Sequence, residues 1–302
     1  MNAITAHLRL IRPANIVTAV ADILAGFAIS GAAITLFSPD VHVYPSVSSD
    51  LIRLITSTIG LYGGGVAFND VFDAELDRVE RPERPIPSGA ASLFSASVLA
   101  GCLLLVGIVA AWGVSPLSGV LALAIAVLAI VYNAWGKHQL VFGPINMGLC
   151  RGGNLLLGMS VISEAPQQMW YLALIPVVYI AAITMISRGE VHGGNKSALI
   201  AGAVMYAMII LSIFTLTIFS AIPFWQVLPF LILFSFLIFK PLFKALKSQE
   251  PQLIGKAVKA GVLSLIVLNA SLATVFAGWI YGIIVLLLLP ISFRIGKFFS
   301  VT

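Results

Sequence analysis

The sequence predicts an all-α, polytopic membrane bundle of nine or ten transmembrane helices, and three observations carry that prediction. Of its 302 residues, 60% are apolar and only 10% are charged, whereas about a quarter of a soluble domain is charged; a water-soluble protein is excluded. The mean hydropathy is +1.05, and apolar runs able to cross a bilayer, which takes roughly 20 helical residues, follow one another along the chain. These runs, such as Leu228 to Phe239 and Ile283 to Leu289, are apolar on nearly every face. The strands of a membrane barrel would alternate instead.

Polar breaks divide the chain into spans at 16–37, 51–72, 93–112, 117–132, 141–162, 169–186, 198–219, 222–239 and 257–277. A run from Trp279 to Phe293 is short for a further crossing and leaves three readings open: a tenth span, a re-entrant piece, or a continuation of the ninth after Gly278. The start of the sequence has no short apolar core followed by a small-residue cleavage site, so the first run reads as a retained helix. The net charge of +5 resides in short loops and reads as topology, not as a nucleic-acid partner. With the amino terminus in the cytoplasm, Arg9, Arg12, the 73–90 and 187–197 segments, Lys137 and the Lys240 to Lys259 cluster share one side, as the positive-inside rule requires. Arg294 and Lys297 join them if there are ten crossings. Cys102 and Cys150 fall inside apolar runs and read as packing residues. No repeat or linker divides the chain, so residues 1–302 form one domain.

Five of the 12 acidic residues lie between Asp70 and Glu80, where the second span meets the cytoplasm. On a continuous helix Asp70, Asp73 and Asp77 share one face. Three like charges so close call for a cation, and an oxygen-only set without clustered Cys or His suits Mg²⁺. The competing reading is a solvated acidic helix end neutralised by Arg78, Arg81 and Arg84.

The string Asn69-Asp70-x-x-Asp73-x-x-x-Asp77, followed by Arg81, Arg84-Pro85, Pro87, Ser88 and Gly89, resembles the first aspartate-rich motif of the UbiA superfamily of intramembrane prenyltransferases. Arg12-Pro13-x-Asn15, Tyr132 with Lys137, and Gly143-x-x-Asn146 extend the resemblance over most of the chain. It implies a central cavity open sideways to the lipid bilayer and capped by cytoplasmic loops, holding a polyprenyl diphosphate bridged by Mg²⁺ to two acidic motifs. An unidentified acceptor would receive the prenyl group. The second motif departs from the pattern: "ISRGEVHGGNKSA" offers only Glu190 as an acid, with Ser187 near where an aspartate is expected. "SRGEVHGGN" and "RGGNLLLGMS" resemble the EboC-like branch, which places the protein in a bacterial inner membrane and associates it with handling or export of a lipid-linked metabolite.

The expected metal and catalytic set is therefore Asp70, Asp73, Asp77 and Glu190. Arg84, Lys137, Arg188, Asn195 and Lys196 are expected to contact substrate, with Asn15, Asn69 and Asn146 orienting it and Gly193-Gly194 letting backbone approach a phosphate. Tyr132 and Lys137 could equally be interfacial anchors. Arg151, about ten residues into the fifth span with Asn154 one turn beyond, must face the interior, since a guanidinium at mid-bilayer costs at least about 2.5 kcal/mol. It could bind the diphosphate, an anionic acceptor or a neighbouring acid, or simply tie helices together. The alternative to an enzyme is an altered relative that binds or carries a lipid-linked metabolite without turnover.

Overall fold

The computed structural model describes residues 2–35, 47–190, 193–194 and 196–299; among them all regular elements are helical. They are α1 (Ala3–Ile11), α2 (Pro13–Ile29), α3 (Ala32–Thr35), α4 (Val47–Phe72), α5 (Ala74–Glu80), α6 (Leu93–Trp112), α7 (Pro116–Ala134), α8 (Phe142–Met159), α9 (Ala165–Met169), α10 (Leu174–Ser187), α11 (Lys196–Ile218), α12 (Phe224–Ser248), α13 (Pro251–Leu286) and α14 (Leu288–Gly296). Their starts follow local chemistry. The side chains of Asn2, Ser92 and Ser115 accept the amides of Thr5, Ser95 and Ser118 at 2.8, 3.0 and 3.1 Å, capping α1, α6 and α7. Pro13, Pro116 and Pro251 open α2, α7 and α13, where the missing amide leaves no intrahelical bond unmade.

Seven helical stretches are long and apolar enough to cross a bilayer, or eight if α1 and α2, bent by 41°, count as one span. The sequence reading gave nine. The difference is α8, whose Asn146, Arg151 and Asn154 lower its apolarity and are all buried; it packs inside against α2, α7 and α10. The first span also starts earlier than expected, at Pro13, and its helix ends at Ile29. At the far end of the chain, Gly278 (φ 79°, ψ 171°) breaks α13. Beyond it the Tyr281 hydroxyl donates to Leu24 O at 3.2 Å and the Ser292 hydroxyl to Ala14 O at 2.9 Å. Residues 279–296 therefore double back antiparallel to α2, over about 27 Å at 1.5 Å per residue. The chain thus returns to the end of the bundle where it began.

α2 is the hub of the bundle, packed against α4, α8, α13 and α14. Glycines set how closely the outer helices approach. A Cβ on Gly64 would lie 2.8 Å from Ala100 O, and one on Gly107 would lie 2.8 Å from Ser57 O, so α4 and α6 touch backbone to backbone.

The middle of the hub is polar. Asp22, wholly buried, accepts from Arg151 Nη1 at 2.7 Å, from Asn154 Nδ2 at 3.1 Å and from Asn269 Nδ2 at 2.6 Å. Arg151 also donates to the Thr18 hydroxyl and lies 4.9 Å from the Tyr62 ring centroid. Of the roles open to Arg151, the structure selects the neighbouring acid: the guanidinium is taken up by Asp22 within the bundle, and its assignment as a substrate contact is corrected accordingly. The pair joins α2, α8 and α13 where hydrocarbon offers no water, so each partner depends on the other.

Two outcomes follow for stability. Gly64→Val should lower the thermal unfolding midpoint of detergent-solubilised protein by an overpacking cost of about 1–3 kcal/mol, while Gly101→Val, at a glycine with open space around its Cβ position, leaves it unchanged. Asp22→Ala strands the guanidinium and should cost about 3–5 kcal/mol. The double variant Asp22→Leu with Arg151→Met should recover most of that loss, measured by the same melting curve.

Candidate active site

The acidic segment is folded by a break that the sequence does not announce. α4 ends at Phe72, Asp73 (φ −90°, ψ 2°) stands between helices, and α5 starts at Ala74. The expected single face of three carboxylates is thereby divided. Asp70 and Asp77, both buried, turn to Arg84, whose Nη1 lies 3.3 Å from Asp70 Oδ1 and 2.6 Å from Asp77 Oδ2. Asp73 instead pairs with Lys137, on the turn between α7 and α8. Among the described residues no group of three acidic, His or Cys side chains is assembled to hold a metal, which corrects the expectation of one shared tri-aspartate site. Each carboxylate instead faces a basic partner, Asp70 and Asp77 facing Arg84 and Asp73 facing Lys137.

Arg84 reaches its position because the chain after α5 curls back through Pro85 and Pro87 to Gly89, which takes the left-handed conformation (φ 73°), with Ser88 N bonded to Arg84 O at 3.0 Å. Arg12 arrives from the other direction. It is the hinge between α1 and α2, with φ 46°, a backbone conformation costly for a residue with a Cβ, and its Nη2 donates to Asp70 Oδ1 at 2.8 Å. Arg9, Arg12, Asp70, Arg81, Glu83, Arg84, Pro85, Glu190 and Phe298 together line a cavity of about 580 Å³. Four arginines and three acids stand on its wall, an excess of positive charge that suits an anion. Glu190 stands beside Gly255 of α13; burial pushes its carboxyl above the ordinary range, and Arg81 partly opposes that.

Of the residues expected from the sequence, Asp70, Arg84 and Glu190 line this cavity, and Asp77 is joined to it through its ion pair with Arg84. Asp73 and Lys137 pair with each other outside that lining, and Tyr132 is half-buried in the last turn of α7. Asn69 donates to Asn133 Oδ1 at 3.2 Å, and Asn133 to Gly65 O at 2.8 Å, so an amide pair fixes the end of α4. Asn15 is buried in the first turn of α2, three residues from Arg12. Asn146 is wholly buried near the Lys137 turn with its Nδ2 unbonded within the described chain.

Three expectations are corrected. Arg188 lies outside the arginine cavity and donates to Gln139 O at 3.0 Å. Lys196 is exposed at the start of α11. Gly193 serves a loop contact, because a Cβ there would lie 2.6 Å from Gln249 O; the chain that approaches it is the α12–α13 connection. Asn195 and His192 fall outside the described residues. Arg9, Arg12 and Arg81 were missed as site residues, although the Arg12-Pro13 string had been singled out; Asp22 and Asn133 had no signal beyond being polar within apolar runs.

Comparison with known proteins agrees with this architecture. A digeranylgeranylglyceryl phosphate synthase of Ignicoccus hospitalis is 32% identical over 62% of this chain and 58% of its own length. The protein of the same name from Methanococcoides burtonii is 36% identical over 54% of this chain and 57% of its own. The chain thus matches less than two thirds of these relatives. The apo structure of a UbiA homologue from Aeropyrum pernix superposes with a TM-score of 0.67 at 16% identity, covering 85% of this chain and 96% of the other. A UbiA homologue from Archaeoglobus fulgidus bound to DMAPP and Mg²⁺ superposes with a TM-score of 0.62 at 15% identity, over 97% and 99%. The sequence profile of the UbiA prenyltransferase family matches residues 23–258, most of the chain, including Asp70, Arg84 and Glu190 of the cavity; the protein belongs to that family.

Proposed function

We propose that this chain is a Mg²⁺-dependent intramembrane prenyltransferase that takes a prenyl group from a polyprenyl diphosphate and hands it to an amphiphilic acceptor, with the acidic cavity on the cytoplasmic side. The observation that carries the reading is Arg84 Nη1, a single positive centre held between the buried carboxylates of Asp70 and Asp77 in a cavity rimmed by three more arginines.

That nitrogen is a stand-in for a cation, and the all-oxygen donors around it are of the kind Mg²⁺ takes. Asp70 and Asp77 would hold the ion, with Glu190 across the cavity as the acid of the second loop, and the ion would supply positive charge to the diphosphate as it leaves. Arg84, released from the carboxylates, would turn with Arg9, Arg12 and Arg81 to the diphosphate oxygens and stabilise the charge that grows there as the allylic carbon–oxygen bond breaks. The leaving diphosphate keeps the bonding electrons. The acceptor's lone pair then forms the new bond to the allylic carbon, and its proton passes to Asp73 or Glu190, the acids outside the Arg84 clasp. The surrounding apolar helices keep water from the cation. The DMAPP and Mg²⁺ named for the Archaeoglobus protein, and the synthase names of the curated relatives, support both the donor class and the ion.

A binding protein without turnover has one observation in its favour: each of Asp70, Asp73 and Asp77 is already paired with a cation. Purified protein in nanodiscs, given radiolabelled polyprenyl diphosphate and cell-extract lipid, decides between them. The enzyme releases diphosphate and labels a lipid only with Mg²⁺, and Asp77→Asn reduces this at least 100-fold; uptake without release in any lipid mixture would establish the carrier.

Arg84→Gln gives an independent reading by calorimetry. Removing the clasp should tighten Mg²⁺ binding measured without diphosphate, and weaken uptake of a non-reactive polyprenyl thiodiphosphate at least tenfold. Weaker binding of both would refute the exchange of partners.

A further inference from the structure

The outer face of α12 carries a stripe of side chains that the polar cavity does not use. At about 100° per residue, Trp225, Ile232, Phe236, Lys240, Phe243 and Lys247 fall within about 80° of one another. All six are exposed, on the side away from the buried Phe234, Ile238 and Ala245. Lys244 flanks them one turn beyond Lys240 and is exposed too. α12 has 25 residues, about 37 Å of helix at 1.5 Å per residue, whereas the hydrocarbon of a bilayer is about 30 Å thick. The largely apolar stretch from Trp225 to Phe239 fills that layer, and the last turns, with their three lysines, emerge among the lipid head groups.

Between Lys240 and Lys259 there are five lysines and one acid, Glu250. Among the described residues none of the three lysines of α12 forms an ion pair. Lys240 Nζ lies instead 4.7 Å from the Phe236 ring centroid, and Phe243 stacks on Phe239 with centroids 5.5 Å apart. Each ammonium therefore keeps donors for an anion. This end of α12 is also fastened to the loop behind the polar cavity. Two residues after Lys247, the Gln249 carbonyl accepts the Gly194 amide at 3.2 Å, four residues on from the Glu190 of the cavity wall.

We infer that this stripe seats an anionic phospholipid, its acyl chains along Ile232 and Phe236 and its phosphate among Lys240, Lys244 and Lys247, and that the lipid steadies the end of α12 and with it the Gly194 contact. Topology alone asks for cations at this end of the bundle, but not for their alternation with exposed aromatic rings on one face. A phospholipid matches both halves of the stripe, since its negative head is drawn to clustered lysines and its chains cover the rings below them. An acidic soluble protein would meet the lysines but not Phe236 and Ile232, which lie beneath the head groups. A zwitterionic head would bring its own cation against the ammonium groups.

The test places the full chain in phosphatidylcholine nanodiscs with photoreactive probes, phosphatidylglycerol or phosphatidylcholine carrying a diazirine in one acyl chain. Labelling mapped by mass spectrometry should fall on residues 232–243 and favour the phosphatidylglycerol probe at least fivefold. The triple variant Lys240→Gln, Lys244→Gln, Lys247→Gln should lose that preference. A second triple variant, Lys196→Gln, Lys256→Gln, Lys259→Gln, removes as much charge from the same end of the bundle and should keep it. Hydrogen exchange at the Gly194 amide should be at least threefold slower in discs containing phosphatidylglycerol than in phosphatidylcholine alone, and the first triple variant should abolish the difference.

Equal labelling by the two probes would overturn the proposal and leave the lysines to topology or to an acidic soluble partner. An equal loss of preference in both triple variants would overturn it as well, because surface charge in general would then suffice. Selective labelling with unchanged exchange at Gly194 would refute the hold on the loop.

Discussion

Two carboxylates buried side by side at the edge of a hydrocarbon slab repel each other unless a cation lies between them, and in this protein Arg84 takes that place, with Arg12 also on Asp70. Its bonds to Asp70 and Asp77 determine the rest of the site. They hold the chain after α5 folded back onto α4 and leave Asp73 to Lys137, and on the proposed reading they occupy the place of a divalent ion. A salt bridge this close to an apolar interior gains more from its Coulomb term than one in water, and either partner alone would be costly. The clasp therefore holds the acids ready while keeping them neutralised.

The same constraint operates deeper in the bundle with a different outcome. Asp22 and Arg151 meet within the helix core with Asn154, Asn269 and Thr18 supplying the remaining bonds, and the arrangement ties together three helices distant in sequence. Near the loops the cations are shared with a cavity and can change partners. In the core they are enclosed, and the pair reads as a fastening. Burial and access to an open volume separate the two kinds of ion pair.

The distribution of cations also orders the two cavities. Arg9, Arg12, Arg81 and Arg84 gather at the polar one, while among the described residues Arg188 is the cation lining the apolar trough between α8, α10 and α11. The return of the chain after Gly278 adds to this end of the bundle, since it carries Phe298 to the wall of the polar cavity next to Arg9.

What could be read along the chain was whatever depends on composition and on neighbours in sequence: the helical membrane class, most of the apolar helices, and the acidic motif that resembles the family's. Arg151 could be read as interior because a lone guanidinium in an apolar run has to be paired or solvated, but its partner, 129 residues away, could not. Nor could the division of the acidic face: no Gly or Pro stands at Asp73, and its partner Lys137 is 64 residues on. Periodicity speaks for one helix at a time. Which cation meets which carboxylate, which glycine makes room for which carbonyl, and where a groove remains open depend on how separate helices come to lie against one another, and only the packed chain decides that.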